Sequence, residues 1–326
     1  MIADKEGGAY SPGSRLMESR RGLDSTDQDG RPEITADEIE ASLAATSQWL
    51  FDRQETDGHW VGELEGDTIL ESEYVLLMTF LGRDSEPVCV KACKYILVLQ
   101  LPGGGWAIYP GGPPEVSASV KSYFALKIVG VPADDPAMVR AREAILAMGG
   151  AQACNSFTRF YLALLGQIGY DECPTVPPEM VLIPSWLNFS LAAMSAWTRT
   201  IVVPLAIMSA HKPVRTLPPS QGIAELFRVD LPRHPRRWTR NPFTWTNFFL
   251  LVDRGLKLAD RWLPSACRRR GLRAAHRWMF DHFENSDGLG AIFPPMVYTI
   301  IAARNAWATS ATPRSIAGPS GSSTTF

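Results

Sequence analysis

Runs that alternate apolar and polar residues are nearly missing from these 326 residues, which argues against a β-sheet protein. No apolar stretch reaches the roughly 20 residues needed to span a bilayer. Any membrane contact is therefore expected to be peripheral. No basic segment followed by an apolar core opens the chain, so no signal peptide is expected. Net charge is only −2 and the pI is near 6.2, which gives no electrostatic case for nucleic acid. The five cysteines, Cys89, Cys93, Cys154, Cys173 and Cys267, contain no Cys-x-x-Cys spacing. They are expected to be reduced structural thiols of a cytoplasmic protein, with no metal centre and no disulfide framework.

What is present is a large apolar fraction, 45%, enough for a sizeable core. Ten Trp, 25 Pro and 26 Gly imply many short, punctuated elements. Residues 1–34 are rich in Gly, Ser, Asp and Arg and cannot bury enough surface to order themselves, so a disordered segment is expected there. Order is expected from Thr35, where Thr35-Ala-Asp-Glu38 has capping-box spacing. Helices are expected over 68–81 (stopping at Gly82), 87–99, 117–129 (stopping at Gly130), 136–148 and 156–168. A long apolar segment, 190–210, is expected to be interrupted at Pro204, with further helices near 244–263, 272–283 and 297–303. The class is all-α.

Two stretches repeat. Gln54-Glu-Thr-Asp-Gly58-His-Trp60 matches Gln100-Leu-Pro-Gly-Gly104-Gly-Trp106. Each follows a helix and leads into one that ends on an apolar-Gly pair, with an Asp and a Pro before the next helix. This is the mark of a stacked helix-pair array. A looser third copy is Asp281 to Gly290. Gln can satisfy backbone groups at a helix end, and Trp can fill the corner with its N–H still bonded. The expected role of these residues is to hold repeats together without touching a ligand.

The Gln-x-x-x-Gly-x-Trp element resembles the QW repeat of the squalene–hopene and oxidosqualene cyclases. Further stretches are similar to the bacterial hopene cyclases: Gly62 to Tyr74, Trp106 to Pro113, Asn155 to Phe160, Val176 to Met180, Met194 to Arg199 and Gly288 to Pro295. The resemblance covers residues 38–304 and implies an α-α barrel, the terpenoid cyclase toroid, here incomplete. It places the cyclase N-terminal domain at 35–304. It also implies squalene or a related polyprenoid as substrate, a monotopic attachment to the membrane surface and no cofactor. An unusually strong acid protonates one alkene, and rings close through carbocations that a dry, aromatic wall protects. Each desolvated ring contributes roughly 2 kcal/mol.

By motif match, Trp197 and Phe157 are implied to line the substrate cavity. Phe293 and Pro294 stand where many relatives carry Gln-Pro, near the end where the last cation is quenched. Glu73 is implied at that termination end. Core packing for Trp197 and Phe157, and a paired or exposed helix position for Glu73, are the competing readings of the residues alone.

The resemblance also implies an Asp-x-Asp-Asp proton donor, and none occurs in the chain. Asp134-Asp135 lacks the leading Asp and is expected to cap a helix. After Ala303 the apolar-Gly pair does not arrive. Read two bases on from Asn305, the permitted codons give Cys-Leu-Gly-Tyr-Glu-Arg-Asp-Ser-Pro, which restores the pattern. Residues 305–326 are therefore expected to be an aberrant, disordered tail. Three functions follow: a cyclase N-terminal part inactive by itself, half of a split cyclase that needs a C-terminal partner, or a non-catalytic helical module binding an isoprenoid or a protein. The basic run His234 to Phe243 reads as a solvated loop, with a membrane-surface contact as the rival.

Overall fold

The computed structural model describes residues 34–61, 66–188, 190–231, 241, 243–283, 289–290 and 292–309. The expected disordered segment up to residue 33, residues 284–288 of the 281–290 repeat copy, most of the 234–243 run and the tail from residue 310 lie outside the described residues. All regular elements among the described residues are helical, with one isolated bridge between Ala107 and Pro114. The chain divides into two compact units, residues 1–64 and 65–326.

In the first unit, α1 (Ala36–Phe51) starts from the expected capping box. The Glu38 amide donates to Thr35 Oγ1 at 3.3 Å, and the Thr35 amide donates to Glu38 Oε2 at 2.9 Å. After α1 the first Gln-Gly-Trp corner closes on itself. Gln54 Nε2 donates to the Gly58 carbonyl at 2.7 Å, and the Trp60 indole donates to the Leu50 carbonyl at 2.7 Å.

The second unit begins with α2 (Ile69–Leu81), stopped by Gly82 in the left-handed region at φ 81°. α3 (Pro87–Val98), α4 (Val116–Ile128), α5 (Pro136–Ala147) and α6 (Ser156–Leu164) follow. Pro87 and Pro136 sit in the first turns of α3 and α5, where a missing N–H costs nothing. α4 is buried almost all round. Its run of small residues, Ser117, Ala118, Ser119, Ser122 and Ala125, lets α2, α3 and α5 approach closely. Around it lies the main core, with Leu76, Ile96, Trp106, Tyr123, Phe124, Ile145 and Leu162. All five cysteines are free and four are buried. Burial pushes the thiols of Cys93, Cys154 and Cys173 up to about 12, so they are inert protonated packing groups at neutral pH.

The second Gln-Gly-Trp corner ties three helices. Gln100 Nε2 donates to the Ala137 carbonyl of α5 at 2.8 Å, and Arg140 donates back to Gln100 Oε1 at 3.1 Å. Trp106 is fully buried and its indole donates to the Ile96 carbonyl of α3 at 2.7 Å. Its backbone amide donates to Ser119 Oγ of α4 at 2.9 Å. Gly104 sits at φ 81°, and a Cβ there would fall 2.3 Å from the Arg140 carbonyl oxygen. Only glycine fits that corner.

Beyond α6 the chain runs through short 3-10 turns, including Pro178–Leu182, to α7 (Ala196–His211), α8 (Trp245–Trp262), α9 (Ser265–Asp281) and α10 (Phe293–Thr309). α7 starts later than the apolar run suggests, because Ser195 caps it by accepting from the Thr198 amide at 3.1 Å. It then runs unbroken through Pro204. α9 begins seven residues before the expected start. Its first turn is basic, and Arg268 is anchored by Glu179 Oε1 at 2.8 Å and by Asp260. α10 is longer than 297–303 at both ends and runs five residues past Arg304. α7, α9 and α10 share a second, smaller core of Val203, Ile207, Ala275, Met279 and Ala302.

Candidate functional site

α2 and α4 are packed against each other, and each turns one charged side chain into the core. Glu73 is 4% exposed and Lys121 is 2% exposed. Lys121 Nζ donates to Glu73 Oε1 at 2.6 Å. The second carboxylate oxygen, Oε2, accepts from the Tyr161 hydroxyl of α6 at 3.0 Å. Burial, followed by the charge of Glu73, pushes the Tyr161 phenol well above its ordinary range. Tyr161 is therefore a fixed donor to Glu73. The ring of Tyr298, on α10, lies 6.1 Å from that of Tyr161. Burial and then Glu73 push Tyr298 up in the same way. A second buried pair flanks the cluster, with Thr68 Oγ1 and Ser122 Oγ 2.7 Å apart.

A carboxylate has about four lone-pair sites. Two of those of Glu73 are taken by Lys121 and Tyr161, which leaves lone pairs for a further donor such as a water. The sequence flagged Glu73 but missed Lys121, Tyr161 and Tyr298. A lysine in the run Ser-Ala-Ser-Val-Lys-Ser-Tyr, in the middle of a helix rich in small and apolar residues, was the available signal. Phe293 and Pro294 begin the helix that carries Tyr298, and Phe293 packs half-buried against the main core. The structure thus links the Glu73 cluster and the Phe293–Pro294 segment through α10.

Trp197 and Phe157 stand apart from this cluster. Trp197 lies in the first turn of α7 and is 62% exposed, and Phe157 lies in the first turn of α6 and is 45% exposed. Pockets of about 320 Å³ beside Thr68 and Tyr109, and about 200 Å³ beside Tyr170 and Lys212, are lined by neither of them. Asp135 caps α5, accepting from the Ala137 amide at 2.8 Å. Gln54, Gly58, Trp60, Gln100, Gly104 and Trp106 all occupy helix corners, as described above.

α8 is amphipathic with its polar side turned inward. Asp253 Oδ1 accepts from the Thr175 amide at 2.8 Å, Lys257 donates to the Asp171 carbonyl at 2.8 Å, and Asp260 pairs with Arg268. The opposite face exposes Trp245, Phe248, Phe249, Leu258 and Trp262. Among the described residues no helix is long and apolar enough to cross a membrane.

The helix-pair architecture and its Gln-Gly-Trp corners define an all-α repeat protein of the toroid type. The profile of the squalene-hopene cyclase N-terminal domain matches residues 43–315, and the chain belongs to that family. It is 39% identical over 267 residues to a squalene–hopene cyclase of Bradyrhizobium diazoefficiens, covering 81% of this chain and 40% of the relative. It is 37% identical over 274 residues to a squalene-hopene cyclase of Schizosaccharomyces japonicus, covering 83% and 42%. It is 31% identical over 264 residues to a dammaradiene synthase of Dryopteris crassirhizoma, covering 81% and 38%. The chain spans about two fifths of the length of these relatives.

Proposed function

We propose that this chain forms the N-terminal wall of a cavity in which squalene or a related polyprenoid is folded and cyclised through carbocations to a hopanoid-type product. The observation that carries this reading is the exposure of Trp197 and Phe157 at helix starts, in a chain whose other large aromatics on α4 and α6 are packed away. Such rings are suited to face a hydrocarbon cation, which they stabilise without attacking it. Glu73, held by Lys121 and Tyr161, would serve the termination end as the fixed polar group that orders a water or takes the last proton. No Asp-x-Asp-Asp stands among the 326 residues, so the initiating acid must come from a second, C-terminal chain or segment.

The purified chain should give no cyclic product from squalene by itself. Adding a C-terminal cyclase half that bears Asp-x-Asp-Asp should restore product, read by gas chromatography with mass detection. In that mixture Trp197→Ala should slow turnover about 30-fold, the equivalent of losing about 2 kcal/mol of cation stabilisation. Turnover by the chain alone would refute the missing-acid reading. Tight squalene binding with no turnover beside any C-terminal half would instead favour the non-catalytic isoprenoid-binding module.

The outward aromatic face of α8 further supports a peripheral seat on a lipid surface. Aromatic side chains partition into the headgroup boundary, and the polar side of the helix is already committed to the protein. The chain should float with neutral phosphatidylcholine vesicles, and Trp245→Ala/Phe249→Ala should release most of it. Undiminished flotation of that variant would move the contact elsewhere.

A further inference from the structure

α9 is fixed in orientation by one of its faces. Gly271, Ala275 and Met279, spaced by four, are its buried residues. The helix packs against α7 and the Pro178–Leu182 turn, so closely that a Cβ on Gly271 would fall 3.0 Å from the Glu179 amide nitrogen. At 3.6 residues per turn, the side chains about half a turn round from that face must look outward. Those are Arg269, Arg273, Arg277 and Phe280, with Arg270 beside them, and all five are exposed.

The charge of this face is not spent within the protein. Among the described residues the ion pairs of α9 are those of Arg268, to Glu179 and Asp260. Arg269 Nη1 donates to Ser265 Oγ at 3.3 Å and Arg273 Nε to the Arg269 carbonyl at 3.4 Å, both uncharged groups of the same helix. The only acid in α9 is Asp281, its last residue. Arg269, Arg273 and Arg277 stand four apart, where like charges repel. In a chain of net charge −2 this is a local concentration of positive charge that an anionic surface would relieve.

Two observations favour lipid as that surface. Phe280 stands in the same row as the arginines, and an exposed ring among guanidinium groups suits the headgroup boundary: the ring enters it while the planar forks take phosphate oxygens in pairs. Only Leu263 and Pro264 separate α9 from α8, whose exposed aromatic side chains run to its last residue, Trp262.

We propose that the outward face of α9 binds the phosphates of an anionic phospholipid surface, which makes the peripheral seat of this chain selective for negatively charged membrane. The inference rests on the reading of α8 as a lipid contact and adds the class of lipid. Each arginine brought to such a surface strengthens binding roughly fivefold.

The test uses the whole 326-residue chain with vesicles of phosphatidylcholine alone or with one third phosphatidylglycerol. Co-sedimentation should be at least about tenfold stronger on the anionic vesicles, and high salt should remove the difference. Arg273→Gln/Arg277→Gln should lose about tenfold on anionic vesicles and nothing on neutral ones, with an unchanged melting temperature. Arg273→Lys/Arg277→Lys should keep most of the preference. Lys91→Gln/Lys94→Gln, which removes two exposed charges from α3, should change nothing. Equal binding of the unaltered chain to both vesicles would overturn the inference and leave the aromatic seat of α8 standing. An equal loss from the lysine pair would also overturn it, since bulk charge would then suffice. Arginine-dependent binding to polyglutamate but not to anionic vesicles would assign the face to an acidic protein instead. Arginine-dependent binding to anionic vesicles with none to neutral ones would overturn the aromatic seat alone.

Discussion

Replacing Lys121 by methionine should cost about 3–5 kcal/mol of stability, because it leaves the Glu73 carboxylate buried beside a single remaining donor, Tyr161. The volume of the side chain is nearly kept, so the loss reports the charge rather than a cavity. The double variant Glu73→Gln/Lys121→Met should recover most of it. The introduced glutamine is neutral and can still accept from Tyr161, and an uncharged replacement of a buried ion pair is often close to neutral. Urea unfolding followed by circular dichroism measures all three chains. A double variant no more stable than Lys121→Met alone would show that the two charges do not depend on each other. The same cluster is the polar centre proposed for the termination end. A measured coupling between residues 73 and 121 would mean that the centre is held by packing of α2 on α4, independently of any substrate.

Trp106→Ala should be of similar size, about 3–5 kcal/mol, and Trp60→Ala should cost about 1 kcal/mol. The two indoles make the same bond, to the carbonyl ten residues back, at the same 2.7 Å. They differ in burial: Trp106 is fully enclosed between α3 and α4, while Trp60 is 47% exposed. Trp106→Phe separates the contributions. It keeps most of the packed area and orphans the Ile96 carbonyl, which should cost about 1–3 kcal/mol. Equal losses for the two alanine variants would mean that the corner bond, and not burial, sets the energetics of the repeat.

The helical elements were legible where local chemistry is decisive. Thr35 and Glu38 cap α1, Gly82 stops α2, and Pro87 and Pro136 open α3 and α5, all within one turn of each start or stop. Two misjudged features were decided at long range. α9 begins at Ser265 because Arg268 finds Glu179 and Asp260, which no local window contains. α7 tolerates Pro204 because its neighbours on α9 and α10 hold the helix together through Val203 and Ile207.

For the candidate site, a motif match singled out Glu73, yet nothing local distinguishes it from an exposed helix carboxylate. Its partners lie 48 and 88 residues away in sequence.

The sequence by itself determined the helical class, the Gln-Gly-Trp repeat and the family, because periodicity, caps and glycine corners are short-range and survive in order along the chain. Tertiary structure alone decided which charges are buried and with whom, which aromatic side chains stay exposed, and that α8 faces its polar side inward. Those properties depend on which helix faces meet, and the free energy of a buried charge is set by its neighbours in space.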